Sequence, residues 1–163
     1  MMSWKRVREL LLPAIVCAAC SPVNSPADSA GAPETSQKPA NAYEEAFVRE
    51  AGVLPITWGG WIKTLTAGTG AAPNADNVVT VNYRGTLTDG TEFDSSYKRN
   101  KPATFSLRNV IPCWTNGVPM MKVGGKSKLV CPSSSAYGEA GSPPLIAGGA
   151  TLVFEIELLD IVR

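Results

Sequence analysis

VVTVNYRGTLTDG, residues 78–90, is the stretch whose reading decides the fold. Val79, Val81 and Tyr83 alternate with Thr80, Asn82 and Arg84, a period of two that gives an extended strand one apolar face and one polar face. Leu87 then leads into a hairpin-like turn around Asp89-Gly90. The stretch predicts a half-buried strand with an antiparallel partner. Towards the C-terminus the same period recurs: Ser127, Leu129 and Cys131 alternate with Lys126, Lys128 and Val130, and Leu152, Phe154, Ile156 and Leu158 alternate with Val153, Glu155 and Glu157. Between them, the apolar alternation of Phe105–Ile111 ends at Pro112, a residue suited to the first turn of a helix reaching to about Met121. Trp114, Val118 and Met121 share one face of that helix. One helix against a mainly antiparallel sheet makes an α+β domain.

Towards the N-terminus, Ile56–Ala67 reads as strand, followed by the turn-rich GTGAAPNAD at 68–76, and the folded domain is expected over 57–163. Tyr43, Phe47 and Ala51 recur at helical spacing before Gly52, which suggests one short helix. Ser21–Ala42 is built from Ser, Pro, Ala, Asn and Gly with a single Val, too little apolar surface to offset its ordering entropy, and reads as a tether. Lys5, Arg6 and Arg8 precede an apolar run from Leu10 to Ala19 that is shorter than the roughly 20 residues a spanning helix needs. This is a signal-peptide layout over 1–19. Ala18 and Ala19 ahead of Cys20 resemble a bacterial lipoprotein signal, although Cys17 stands where Leu is usual. That resemblance implies a lipidated Cys20 and attachment to a membrane only through the lipid, so that 20–56 is expected to hold the lipidated N-terminus, the flexible tether and the possible short helix.

Composition removes several function classes. The chain has 163 residues, which suits one domain plus a tail, and a net charge of +1 with no basic stripe for nucleic acid. It has no histidine, so Ser-His and Cys-His nucleophiles, His-ligated zinc and imidazole bases are excluded, and no metal or other cofactor is expected. GTGAAP at 68–73 and GGKS at 124–127 lack the glycines and context of nucleotide-binding loops and read as turns. Glu155 and Glu157 lie two apart on a strand and read as its solvated face. Without an extended heptad pattern the chain is read as a monomer.

An ordered series covers the last hundred residues or so: VNYRGTLTDGTEFDSS (81–96), RNKPATFSL (99–107), VIPCW (110–114), VGGKSKLVCP (123–132), AYG (136–138) and GGATLVFEIELLDI (148–161). In this order and spacing the series resembles FKBP-type peptidyl-prolyl cis-trans isomerases. The resemblance implies a twisted, roughly five-stranded antiparallel sheet wrapped around a short helix, with an apolar pocket between them. Tyr83, Phe93, Asp94, Val110, Ile111, Trp114, Tyr137, Leu145, Ile146 and Phe154 stand at positions matching that pocket, with Trp114 as its floor. Phe105 and Ala136 match adjacent positions, and Arg99 matches the basic residue paired with the pocket aspartate. Catalytic roles are implied for Asp94, Tyr137, Ile111, Trp114 and Phe154, and substrate contacts for Tyr83, Phe93, Val110, Leu145, Ile146 and Arg99. Three positions depart from the pattern: Ala103 where an aromatic can occur, Ser142 for a histidine of some members, and Cys113 for the usual glycine before Trp114.

Taken singly, these aromatics fit an ordinary core and Asp94 with Arg99 an ordinary surface pair. The resemblance implies an isomerase acting on proline-containing polypeptides in the bacterial periplasm, anchored to the outer membrane and inhibited by rapamycin and tacrolimus. A chaperone-like module that grips such chains with little turnover is the alternative. Thiol-disulfide exchange through Cys113 and Cys131 is a third class, but no CxxC pair is present. Cys131 shares the inward face of its strand and Cys113 stands beside Trp114, so export to an oxidising compartment makes a structural disulfide between them the expectation.

Overall fold

The ten residues of β3, Val78–Leu87, alternate as the sequence requires: Val79, Val81 and Tyr83 are buried and Arg84 is exposed. Around this strand a computed structural model describes residues 38–162. The other strands are β1, Val53–Pro55; β2, Trp61–Thr66; β4, Glu92–Ser95; β5, Ala103–Ser106; β6, Lys126–Cys131; and β7, Leu152–Val162. All pairings are antiparallel, in the order β1-β2-β6-β7-β3-β4, with β5 also on β3. β4 meets β3 at residues 84–86 and β5 meets it at 78–81, so the two share one edge as a single interrupted strand. Five strand positions therefore match the expected sheet, and β1 adds another at the far edge.

One face of the sheet holds the main core. Val79, Val81, Tyr83, Leu129, Cys131, Leu152, Phe154, Ile156 and Leu158 pack there against Trp114, Val118 and Met121. The helix that supplies Trp114, α2, spans Pro112–Gly117, with Pro at its first position and Ile111 as its N-cap. It is shorter than the sequence suggests. The chain tightens into a 3-10 turn over Val118–Met120, where Pro119 has no N–H to continue the α-helical ladder. Phe105–Ile111 likewise is only partly strand: β5 ends at Ser106 and Leu107–Asn109 is a 3-10 turn.

The opposite face carries a second, smaller core that moves the start of the ordered unit ahead of residue 57. Helix α1, Ala42–Val48, buries Phe47 against Trp61, Val130 and Val153. Glu44 is also fully buried there. Its carboxylate accepts from the Ala40 N–H at 2.6 Å, from Asn41 Nδ2 at 3.0 Å and from the Thr151 hydroxyl at 2.7 Å, while Asn41 caps the helix by accepting from the Glu44 N–H. This network explains how a buried charge is tolerated and ties α1 to the entry of β7. Alternation in β6 and β7 hides this contact, because Val130 and Val153 are apolar on what reads as the solvent face.

Cys113 and Cys131 are joined by a disulfide, with Cα atoms 5.8 Å apart and a sequence separation of 18. The bond fastens the start of α2 to the end of β6. Among the described residues no helix is long and apolar enough to cross a membrane. The expected signal peptide and Cys20 lie outside the described residues, as does the expected tether as far as residue 37.

Candidate active site

A cavity of about 420 Å³ opens between α2 and the concave side of the sheet. Tyr83 comes from β3, Phe93 and Asp94 from β4, Phe105 from β5, Trp114 from α2 and Phe154 from β7. Asn109, Val110 and Ile111 enter on the turn before α2, and Tyr137 on the loop after β6. Five of these rings form one edge-to-face assembly. Trp114 meets Phe154 at 5.2 Å, Tyr83 at 5.4 Å and Phe105 at 5.6 Å between centroids, with planes 84–89° apart. Phe93 stands at 89° to Phe154. Such pairs present ring edges to ring faces, which fixes the walls beyond what burial alone would do. Gly85 on β3 makes room for them: a Cβ there would lie 2.6 Å from Phe93 Cζ and 3.0 Å from Phe154 Cε1.

One charged group faces this apolar space, and it is neutralised from the side. Asp94 accepts from the Tyr83 hydroxyl and from Arg99, from the latter through a short charge-assisted contact, and also from the Ser95 N–H at 2.8 Å. Arg99 donates a second bond to the Tyr83 hydroxyl at 2.7 Å and stacks over its ring. Burial raises the Asp94 pKa, but hydrogen bonds from Tyr83 and Arg99 and the adjacent guanidinium outweigh it and hold the carboxyl below its ordinary range. Tyr83 moves the other way: burial, reinforced by the Asp94 carboxylate, keeps its phenol protonated above the usual range. Asp94 therefore stays anionic and Tyr83 stays neutral.

A sequence model of the FKBP-type peptidyl-prolyl cis-trans isomerase family matches residues 69–159, more than half of the chain and every element around the cavity. The chain belongs to this family. It is 50% identical over 119 residues to the FKBP-type peptidyl-prolyl cis-trans isomerase FkpA of Escherichia coli, covering 73% of this chain and 44% of that protein. The crystal structure of that FkpA superposes with a TM-score of 0.70, over 73% of this chain and 55% of the other. The structure of a Pseudomonas syringae peptidyl-prolyl cis-trans isomerase superposes at 0.66 with 37% identity, covering 78% of this chain and 98% of that one. An outer membrane protein MIP of Legionella longbeachae is 38% identical over 80% of this chain and 56% of its own length. The chain thus spans about half the length of the curated relatives it matches.

Within this FKBP domain, eight of the ten residues matched to the pocket line the cavity. Leu145 and Ile146 do not. Ser142 and Ile146 exchange backbone hydrogen bonds of 2.8 and 3.0 Å, which closes the intervening loop on itself. Ile146 is then packed into the core at 5% exposure, while Leu145 points to solvent at 61%. Arg99 acts on the cavity through Asp94 and Tyr83 without lining it. Two residues join that were given no role: Phe105, an apolar strand residue adjacent to the matched set, and Asn109. Asn109 is an exposed polar residue in a 3-10 turn, so no periodicity marks it; its place beside Val110-Ile111 is the signal that was available.

Proposed function

We propose that this chain accelerates cis-trans rotation about Xaa-Pro bonds in polypeptides. The observation that carries the reading is an aromatic cavity whose one facing charge is held as an ion pair and whose rim offers donors with no other task among the described residues. Neither the Ile111 N–H nor the Tyr137 hydroxyl donates a hydrogen bond among the described residues. Rotation about a peptide bond is opposed by a barrier of about 18–20 kcal/mol that comes from amide resonance. Cis and trans Xaa-Pro forms differ by only about 0.5–1 kcal/mol, so a catalyst has to change a rate and not an equilibrium.

A proline ring set against Trp114 and walled by Tyr83, Phe93, Phe105 and Phe154 leaves its amide stripped of water, which disfavours the charge-separated resonance form and eases twisting. In this mechanism Ile111 N–H and Tyr137 hydroxyl hold substrate carbonyls, Asp94 polarises the site, Arg99 positions Asp94, and Val110 contacts the substrate beside Ile111. Leu145 and Ile146 shape the rim loop instead of a wall. No nucleophile is required. Turnover of Xaa-Pro peptides tests the reading: acceleration is expected, and peptide binding without acceleration would instead support the chaperone-like alternative. Rapamycin and tacrolimus are expected to compete for the same cavity.

The proposal extends to the cell. Export by residues 1–19, lipid on Cys20 and a tether beyond it would place the domain in the periplasm, facing proline-containing exported chains as a monomer. The name of the Legionella relative, an outer membrane protein, supports that location.

A further inference from the structure

Three of the residues that line the cavity, Asn109, Val110 and Ile111, stand on one short arch of chain between β5 and α2. One foot of the arch is Leu107, which is fully buried and whose N–H donates to the Asn77 carbonyl at 3.0 Å. The other foot is Ile111, whose carbonyl accepts from the Trp114 and Thr115 N–H groups at 2.9 and 3.1 Å. Between the feet, the ion pair of Arg108 with Asp76 is exposed on both sides and adds little hold. The Ile111 N–H belongs to the peptide unit ahead of Ile111, so fixing the Ile111 carbonyl does not aim it. Its direction follows from how the arch sits on α2.

One side chain ties the arch to that helix. The Thr115 hydroxyl donates to the Leu107 carbonyl at 2.8 Å and lies 3.4 Å from the Ile111 carbonyl. A threonine within a helix ordinarily bonds the carbonyl four residues back, which holds nothing outside its own turn. Here the shorter bond reaches eight residues back and leaves the helix, so one hydroxyl closes the arch across its base. Among the described residues no other side chain donates to the backbone of 107–111. Thr115 is half-buried and does not line the cavity, so it acts through the arch and not on a substrate. Resting on the isomerase reading above, we propose that Thr115 is a positioning residue whose hydroxyl holds the 107–111 arch so that the Ile111 N–H meets a substrate carbonyl flanking the rotating bond. Without the hydroxyl the arch can tilt on its Leu107 foot, and a hydrogen bond weakens steeply as its donor swings off line. A carbonyl outside the rotating bond is held alike in the planar and twisted substrate, so the loss falls on KM and not on kcat.

The test separates the hydroxyl from the shape of the side chain. In the full chain, Thr115→Val removes the donor and keeps the branched outline, while Thr115→Ser keeps the donor. On an Xaa-Pro peptide Thr115→Val should raise KM about fivefold with kcat held within about twofold, and Thr115→Ser should restore the parent KM. In NMR spectra the Ile111 amide proton should move downfield when the peptide is added to the parent or to Thr115→Ser, and should move less in Thr115→Val. A purely structural threonine would change the melting temperature and leave both readouts alone. An unchanged KM in Thr115→Val, a rise that Thr115→Ser shares, or an Ile111 amide that responds in Thr115→Val as in the parent would overturn the proposal. Should Thr115→Val not fold, Thr115→Ala takes its place, since alanine is the better helix former, and the parent KM in that variant overturns the proposal equally. A parent protein without turnover would overturn the isomerase reading itself, which separates the two failures.

Discussion

Replacing Asp94 by Leu, or Tyr137 by Phe, should cut kcat/KM by at least about tenfold while moving the melting temperature little. The physical reason is exposure. Asp94 keeps 41% of its side chain in solvent and Arg99 50%, so breaking their pair strands no buried charge. Tyr137 is 42% exposed and its hydroxyl has no hydrogen-bond partner to lose among the described residues. Full activity in both variants would remove the mechanism. The same residues set the pH response. The depressed Asp94 pKa gives stability that is complete above the unfolded carboxyl value and is lost as pH falls through the lower folded value; the raised Tyr83 pKa gives stability that is complete below the unfolded phenol value and is lost as pH rises through the higher folded one. With no histidine in the chain, turnover should be flat from about pH 5 to 9, and a bell centred in that interval would contradict this assignment. At this scale the sequence named most of the residues that line the cavity, because they sit at fixed offsets in recognisable motifs. It could not exclude Leu145 and Ile146, whose directions depend on how the 142–146 loop closes.

At the level of elements, the disulfide and α1 make separate predictions. A bridge closing a loop of 18 residues contributes on the order of 3 kcal/mol, chiefly by restricting the unfolded chain. Reduction should therefore lower the melting temperature and leave low-temperature activity largely intact, since both sulfurs are fully buried and neither lines the cavity. Loss of activity at a temperature where the reduced protein stays folded would assign the bond a role in catalysis. Phe47→Ala should cost about 3–5 kcal/mol in denaturant unfolding, as expected for an aromatic emptied from a closed core. Its kcat should not change, because α1 covers the face of the sheet away from the cavity. The sequence placed a helix near these residues from spacing alone. It gave no reason to dock it, since Val130 and Val153 fall on the polar side of strands whose alternation is read one strand at a time.

For the whole molecule, a truncation compares the expected boundary with the observed packing. The segment 57–163 should still catalyse, since it holds every cavity residue, but it should melt below 38–163 because it exposes Trp61, Val130 and Val153 and removes β1 from the sheet edge. Equal melting temperatures would mean that α1 and β1 add nothing to stability. Mass spectrometry of the mature protein should find lipid on Cys20, with the protein fractionating with membranes; an unmodified Cys20 or an intact Met1 would rule that out.

The sequence by itself determined the period-two strands, the proline-started helix, the absence of any histidine chemistry and the ordered motifs that mark the family, because each is a local or fixed-offset property of the chain. Only the tertiary structure decided which face of β6 and β7 receives α1, which loop residues turn towards the cavity, and that the Trp114 N–H is left without an acceptor among the described residues. Those outcomes depend on contacts between residues far apart in sequence. Glu44 with Thr151 and Trp114 with Phe154 meet only when the sheet has closed, and no spacing within one strand or helix records the meeting.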